Sequence, residues 1–437
     1  MKKFLAFGYS KVLPPIIEQF INPICIFIIT PLILNHLGKQ NYGNWILLIT
    51  IVSFSQLICG GCSAWIAKII AEQRATSDDS NQGAIRQIAY NLSVIMISFL
   101  ILIVFIWLSI SIFNEASENA SFLYAIAVCG FFQEIDNLFS GVLKGFERFN
   151  ISCFFEVVTR ILWASLVIYG IYENDILYYT CLAFALKGTL KYILVCLNIN
   201  GTFIYPDFNK SGIVNLLNES KWMFLQLTGG ISLSLFDRLA IPLILSVSKL
   251  SSYVPCLQLA QLMFTLSASA NQILLPMFAR MKASNTFPSN CFFKIQLVSL
   301  VSALPCLVLL FFGYDILSIW ISPTFASDNY KLMQILSISY ILLSMMTSFH
   351  FLLLGLGKSK LVANLNLIAG LTLAISTLIA AHYGLYAISI VKIIYPIFQF
   401  YYLYVTFFIL KEKKMSIDLL FQLLKLLLSF FRNLRIY

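Results

Sequence analysis

The chain has 437 residues, 59% of them hydrophobic and only 11% charged, with a mean hydropathy of +0.86. Charged residues make up about 25% of ordinary soluble domains, so a water-soluble enzyme is excluded and an all-α polytopic membrane protein is indicated. The formal net charge of +10 would suit nucleic acid, but the basic residues sit at the ends of apolar runs, which excludes nucleic acid and points to anionic membrane lipids.

Twelve apolar runs follow one another, near 12–35, 44–70, 88–112, 121–147, 150–172, 175–199, 219–248, 252–279, 291–321, 331–356, 361–382 and 384–410. Each reaches the ~20 residues that cross a bilayer core. The first run carries Pro14, Pro15, Pro23 and Pro31 with Glu18, and no cleavable leader is expected before it. Proline frees backbone carbonyls, which membrane helices tolerate beside other protein groups or a wet cavity. Leu37-Gly38-Lys39-Gln40-Asn41-Tyr42-Gly43 is then a tight outward turn, and the polar stretch Thr76–Gly83 is an inward loop. That loop lacks the Gly-x-x-x-Asp-Arg motif expected of a facilitator-superfamily transporter.

Lys and Arg crowd one set of turns, with only Lys39, Lys249 and Lys331 on the opposite side, which predicts cytoplasmic termini and an even number of spans. The ten cysteines are scattered apart from Cys59-Gly60-Gly61-Cys62. A single Cys-x-x-Cys without a second pair or a nearby His predicts no metal site, and no cofactor is expected.

Two anchors suggest an internal duplication. Pro31-Leu32-Ile33-Leu34 with Tyr42 repeats as Pro242-Leu243-Ile244-Leu245 with Tyr253, an offset of 211 (242 − 31). Gly145 and Arg148 after the fourth run match Gly355 and Lys358 after the tenth at an offset of 210 (355 − 145). Two parallel six-helix lobes are therefore predicted, 1–200 and 219–411, joined by a polar cytoplasmic linker, 201–218. In the tail, 412–437, Asp418, Gln422, Lys425, Ser429 and Arg432 form one polar stripe, the pattern of an amphipathic helix on the cytoplasmic leaflet. Every loop is short, which argues against a glycan polymerase with a large outward loop.

Ionisable residues inside the spans are costly and mark pathways or pairs. Glu156 and Arg160 share a helix face, as do Lys187 and Lys191, and two like charges on one buried face require an anion, a carboxylate or water. Arg160, Arg238 and Lys392, with the Lys187/Lys191 face, are the candidates for holding an anionic substrate, because guanidinium groups bind phosphate bidentately. Asp237, Glu18, Asp136 and Glu134 are candidates for coupling to H⁺ or Na⁺, Asp237 first because of its depth. Each of these residues has a plainer reading as a member of a structural ion pair.

The Pro-Leu-Ile-Leu segment with Leu37-Gly38-x-x-x-Tyr42-Gly43, then Gly145-Phe146-x-Arg148-Phe149 and the intramembrane Asp237-Arg238, resembles the Wzx family of O-antigen flippases. These belong to the multidrug/oligosaccharidyl-lipid/polysaccharide exporter superfamily. The resemblance extends through Lys411 and departs at Val254-Pro255, where Tyr-Gly would repeat the first turn. It implies a MATE-like pair of six-helix lobes and no enzyme activity. It further implies a lipid-linked oligosaccharide flippase in the bacterial inner membrane, moving undecaprenyl-pyrophosphate-linked O-antigen units for lipopolysaccharide biosynthesis. A glycan polymerase and a chain-length regulator are the implied partners. No ATP-binding Gly-x-x-x-x-Gly-Lys-Ser/Thr motif is present to drive it. The alternatives are a drug/cation antiporter of the same superfamily, a lipid II flippase, or an O-antigen polymerase.

Overall fold

Long apolar runs leave the backbone no water to bond with, and a helix answers this by bonding internally. The computed structural model of the chain describes residues 2–54, 65–70, 80–113, 117–199, 203–272, 274, 277–278, 281 and 291–411. Among these there is no strand. The helices, numbered in chain order, are α1 (Lys2–His36), α2 (Gly38–Phe54), α3 (Ser80–Phe113), α4 (Ser117–Gly145), α5 (Phe149–Tyr172), α6 (Ile176–Ile199), α7 (Lys210–Ile244), α8 (Val247–Gln272), α9 (Cys291–Trp320), α10 (Pro323–Gly355), α11 (Ser359–Ala381), α12 (Leu385–Val391) and α13 (Ile394–Lys411). The Cys59/Cys62 pair, most of the expected inward loop and the tail 412–437 lie outside the described residues.

Among the described residues, eight stretches are long and apolar enough to cross a membrane: Gln82–Trp107, Ser121–Gly145, Phe149–Tyr172, Ile176–Ile199, Lys294–Trp320, Pro323–Gly355, Ser359–Ala381 and Leu385–Ile409. The expected runs in α1, α2, α7 and α8 fall short over their described residues. All four of these helices line the central cavity, and a helix that faces a polar chamber needs less apolar surface than one that faces lipid.

Neighbour relations recur in the two halves. α1 packs on α5 as α7 packs on α11, α3 on α4 as α9 on α10, and α4 on α6 as α10 on α13. The turns repeat as well. Glu147 and Gly357, 210 apart (357 − 147), both take positive φ, and so do Asn174 and Gly384, again 210 apart (384 − 174). The bonds closing the first pair of turns match: Arg148 N–H donates to Leu143 C=O at 3.0 Å, and Lys358 N–H to Leu353 C=O at 2.9 Å.

Within the expected linker 201–218, residues 203–209 are non-helical. Asn209 caps α7 by accepting from Ser211 N–H, so helix begins at Lys210. The preceding strip lies on α3, where Ser93 Oγ donates to Asp207 C=O at 2.7 Å.

Prolines shape the helices that meet in the middle. Pro31 has no N–H to offer Phe27 C=O one turn earlier, and that carbonyl accepts from Trp320 Nε1 at 2.9 Å while the two rings stack. Pro242 lies near the end of α7, one turn after Arg238. Pro396 lies one turn after Lys392, where α12 and α13 part. Pro255 sits inside α8.

At the end of the bundle carrying the α1–α2 and α7–α8 turns, the halves touch closely. A Cβ on Gly43 would lie 2.4 Å from the Val247 carbonyl oxygen. Thr30 Oγ1 reaches Gln258 Oε1 at 3.1 Å across the same interface.

Candidate functional site

Between the halves lies a partly open cavity of about 580 Å³, within the range of small-molecule sites. Its wall combines Asn22, Pro23, Ile26 and Phe27 of α1, Ile49, Val52 and Ser53 of α2, Gln133 and Asn137 of α4, and Arg160 and Trp163 of α5. The remainder comes from Phe184 of α6, Leu235 and Arg238 of α7, five residues of α8 including Gln258, Gln261 and Thr265, and Tyr340 of α10. Among these residues there are two cations, Arg160 and Arg238, and no carboxylate.

Arg160 stands on a buried ion cluster. Glu156, one helical turn earlier, accepts from Arg160 Nη2 at 2.9 Å. Lys191 bridges Glu156 and also lies 2.9 Å from Asp136 of α4. Lys187 pairs with Asp136 and lies 3.8 Å from Glu156. The carboxylates demanded by the Lys187/Lys191 face are therefore Asp136 and Glu156. Gly188 makes this possible: a Cβ there would lie 2.6 Å from Phe132 C=O, so only glycine lets α6 approach α4 this closely. Three cations against two carboxylates leave one formal positive charge, and Arg160 is the member that reaches the cavity. Its guanidinium carbon also lies 5.7 Å from the Trp163 ring centroid, in cation–π range.

A different set of helices does the same in the other half. Asp237 pairs with Lys392 at 2.8 Å and accepts from the Tyr253 hydroxyl. Arg238 turns toward the cavity, where its Nη2 donates to Gln261 Oε1 at 2.9 Å. Two cations against one carboxylate again leave one positive charge among the described residues, and Arg238 carries it to the wall. The Nε atoms of Arg160 and Arg238 have no hydrogen-bond partner among the described residues.

The candidates read from the sequence are thus distributed unevenly. Arg160 and Arg238 come together in one cavity. Lys187 and Lys191 lie behind the wall among carboxylates, and Lys392 faces Asp237 beside Tyr340 and Pro396 in a small separate recess. Of the acids, Asp136 and Asp237 are held by lysines. Glu18 pairs with Lys144 at 2.7 Å toward one end of the bundle. Glu134 is 1% exposed and accepts from Asn137 Nδ2 at 3.2 Å. Asn22, Gln133, Asn137, Gln258 and Gln261 are cavity residues that attention to charge alone passed over. Their signal was present as amides one turn apart in otherwise apolar runs, Gln133 with Asn137 and Gln258 with Gln261.

No curated protein sequence matches the chain. Among solved structures, a lipid II flippase, MurJ, in an inward closed conformation aligns with a TM-score of 0.74 at 12% identity, covering 96% of this chain and 92% of that one. An inward-facing multidrug resistance MATE transporter of the MOP superfamily aligns at 0.70 and 11% identity, over 92% of this chain and 100% of that one. The MATE multidrug transporter DinF-BH aligns at 0.62 and 15% identity, over 92% and 94%. The chain therefore has the MATE and MurJ fold. Residues 11–282, more than half of the sequence, match the family described as Polysaccharide biosynthesis protein, and the chain belongs to that family.

Proposed function

We propose that this protein is a flippase for undecaprenyl-pyrophosphate-linked O-antigen repeat units, carrying them from the cytoplasmic to the periplasmic leaflet of a bacterial inner membrane. The observation that carries the reading is the charge of the cavity wall: one guanidinium from each half faces it, and no carboxylate is among the described lining residues. A pyrophosphate headgroup is stabilised by two guanidinium groups, whereas a drug cation would be repelled by them, so the drug/cation antiporter reading has no support in the lining. The polar amides suit a glycan, and the polyprenyl tail stays in lipid.

In this reading the lobes are 1–200 and 219–411, and they rock about the cavity with both termini in the cytoplasm. Lys187, Lys191 and Lys392 assist from behind the wall by holding Glu156, Asp136 and Asp237 so that Arg160 and Arg238 face inward. An H⁺ or Na⁺ gradient acts through Asp237, Asp136, Glu134 or Glu18 when rocking loosens the pair concerned. A polymerase and a chain-length regulator then act on the delivered unit.

Charge-assisted hydrogen bonds are worth about 1.5–3 kcal/mol, so Arg160→Ala and Arg238→Ala should each lower surface glycan by roughly tenfold or more, with normal amounts of protein in the membrane. Immunoblotting of surface polysaccharide beside the membrane fraction measures this. Undiminished display in the double variant would remove the cavity from the transport route.

A further inference from the structure

We propose that Gln133 is the sugar-recognition group of this cavity, presenting a carbonyl acceptor, and that Glu134 is the positioning residue that fixes its orientation. The inference rests on the flippase reading and adds the end of the cavity at which the first sugar is held.

An ionised carboxylate only accepts. Glu134 Oε1 therefore takes the Asn137 amide by its Nδ2, at 3.2 Å, which turns Asn137 Oδ1 the other way. That oxygen accepts from Gln133 Nε2 at 2.9 Å. Gln133 lines the cavity; the bond from one of its two Nε2 protons to Asn137 fixes which way the amide is turned, and its Oε1 is the one acceptor it offers a ligand. Three residues on consecutive faces of α4 thus relay one orientation outward from a carboxylate that is itself 1% exposed.

The opposite wall has the reverse polarity. Gln261 Oε1 is occupied by Arg238 at 2.9 Å and Gln258 Oε1 by Thr30 at 3.1 Å. Both amides keep their N–H donors, and that of Gln261 lies beside the Arg238 guanidinium. A pyrophosphate has no proton to give at neutral pH, so it matches the donors of Arg160, Arg238 and Gln261 and is disfavoured by a bare carbonyl oxygen. The match for Gln133 Oε1 is a donor carried by the substrate: a hydroxyl or acetamido N–H on the sugar next to the pyrophosphate.

The test uses the purified protein in detergent, with isothermal titration calorimetry measuring the binding of two probes, farnesyl pyrophosphate and farnesyl-pyrophosphoryl-N-acetylglucosamine. One neutral hydrogen bond corresponds to roughly three- to tenfold in affinity, so the parent should favour the sugar-bearing probe by that factor. Gln133→Leu should abolish the preference, so that the two probes bind that variant with equal affinity. Glu134→Gln, which keeps an acceptor, should retain the preference, and Glu134→Leu should lose it. A preference that survives Gln133→Leu overturns the assignment of Gln133. Glu134→Gln behaving like Glu134→Leu overturns the relay. Failure of farnesyl pyrophosphate to bind, or binding indifferent to Arg160→Ala with Arg238→Ala, overturns the flippase reading itself.

Discussion

At the scale of single residues, what matters is which charge meets which. Asp237 is 3% exposed and Lys392 2%, and removing one partner of such a pair typically costs about 3–5 kcal/mol, whereas removing both is often close to neutral. Asp237→Asn and Lys392→Met should therefore each lower the thermal unfolding temperature of the purified protein, and the double variant should recover most of the loss. An Asp237→Asn protein as stable as the parent would mean that the contact with Lys392 contributes no stability and that the carboxylate is held for another purpose. The sequence exposed these charges plainly, since ten ionised groups in apolar runs cannot be overlooked. It also required an anion, a carboxylate or water opposite Lys187 and Lys191, because two ammonium groups one turn apart cannot be buried alone, and the structure supplies carboxylates. The identity of that carboxylate was not legible: Asp136 lies 51 residues from Lys187 along the chain, and their meeting depends on how two helices pack.

That packing belongs to the scale of elements, and Gly188 sets it. Any side chain there meets Phe132 backbone first, so Gly188→Val should push α6 away from α4 and separate Lys187 and Lys191 from their acids. Overpacking alone costs about 1–3 kcal/mol, and the loosened ion pairs add to it. A lowered unfolding temperature together with weaker pyrophosphate binding is expected, because Glu156 then no longer holds Arg160 at the wall; unaltered values for both would show that the helices adjust without disturbing the cluster. The all-helical, membrane-spanning class was legible from apolar run length, and the positive-φ turns at 147/357 and 174/384 recur at 210, the spacing of the Gly-x-x-Arg/Lys anchors. Residues 210–218 of the expected linker are the first turns of α7, because Asn209 acts as a helix cap that a polar composition alone does not distinguish from loop. The amide wall was missed because Gln and Asn carry no charge to flag them. Only the α8 pair with Thr265 four residues on, and the α4 pair, mark a polar face, and such faces are also found in helices that simply hydrogen-bond to neighbours.

At the scale of the whole molecule, the proposed rocking depends on how the two halves that line the cavity are sealed together. They meet tightly at the end that bears the α1–α2 and α7–α8 turns, through Gly43 on Val247, Thr30 on Gln258 and the Phe27–Trp320 stack. This seal is made from repeated sequence, since Pro31 and Pro242 occupy matching positions, yet the contacts are unequal. Pro31 releases the Phe27 carbonyl for Trp320 of the other half, whereas Pro242 follows Arg238, one of the two cavity cations. A molecule that works by opening this end must break the Gly43 contact, so filling it should favour the open form. A Leu at Gly43 meets the Val247 carbonyl, and an overpacking cost of roughly 1.4 kcal/mol falls on the sealed state alone, which shifts the balance between sealed and open by about tenfold. In whole cells carrying Gln258→Cys, Gly43→Leu should therefore raise labelling by a membrane-impermeant maleimide at that position. With the proposed orientation the reagent arrives from the periplasm, the side on which Gly43 and Val247 meet. Labelling equal to that of the Gly43 parent would mean that this contact is not the outer gate, and the rocking axis would have to be sought elsewhere in the interface.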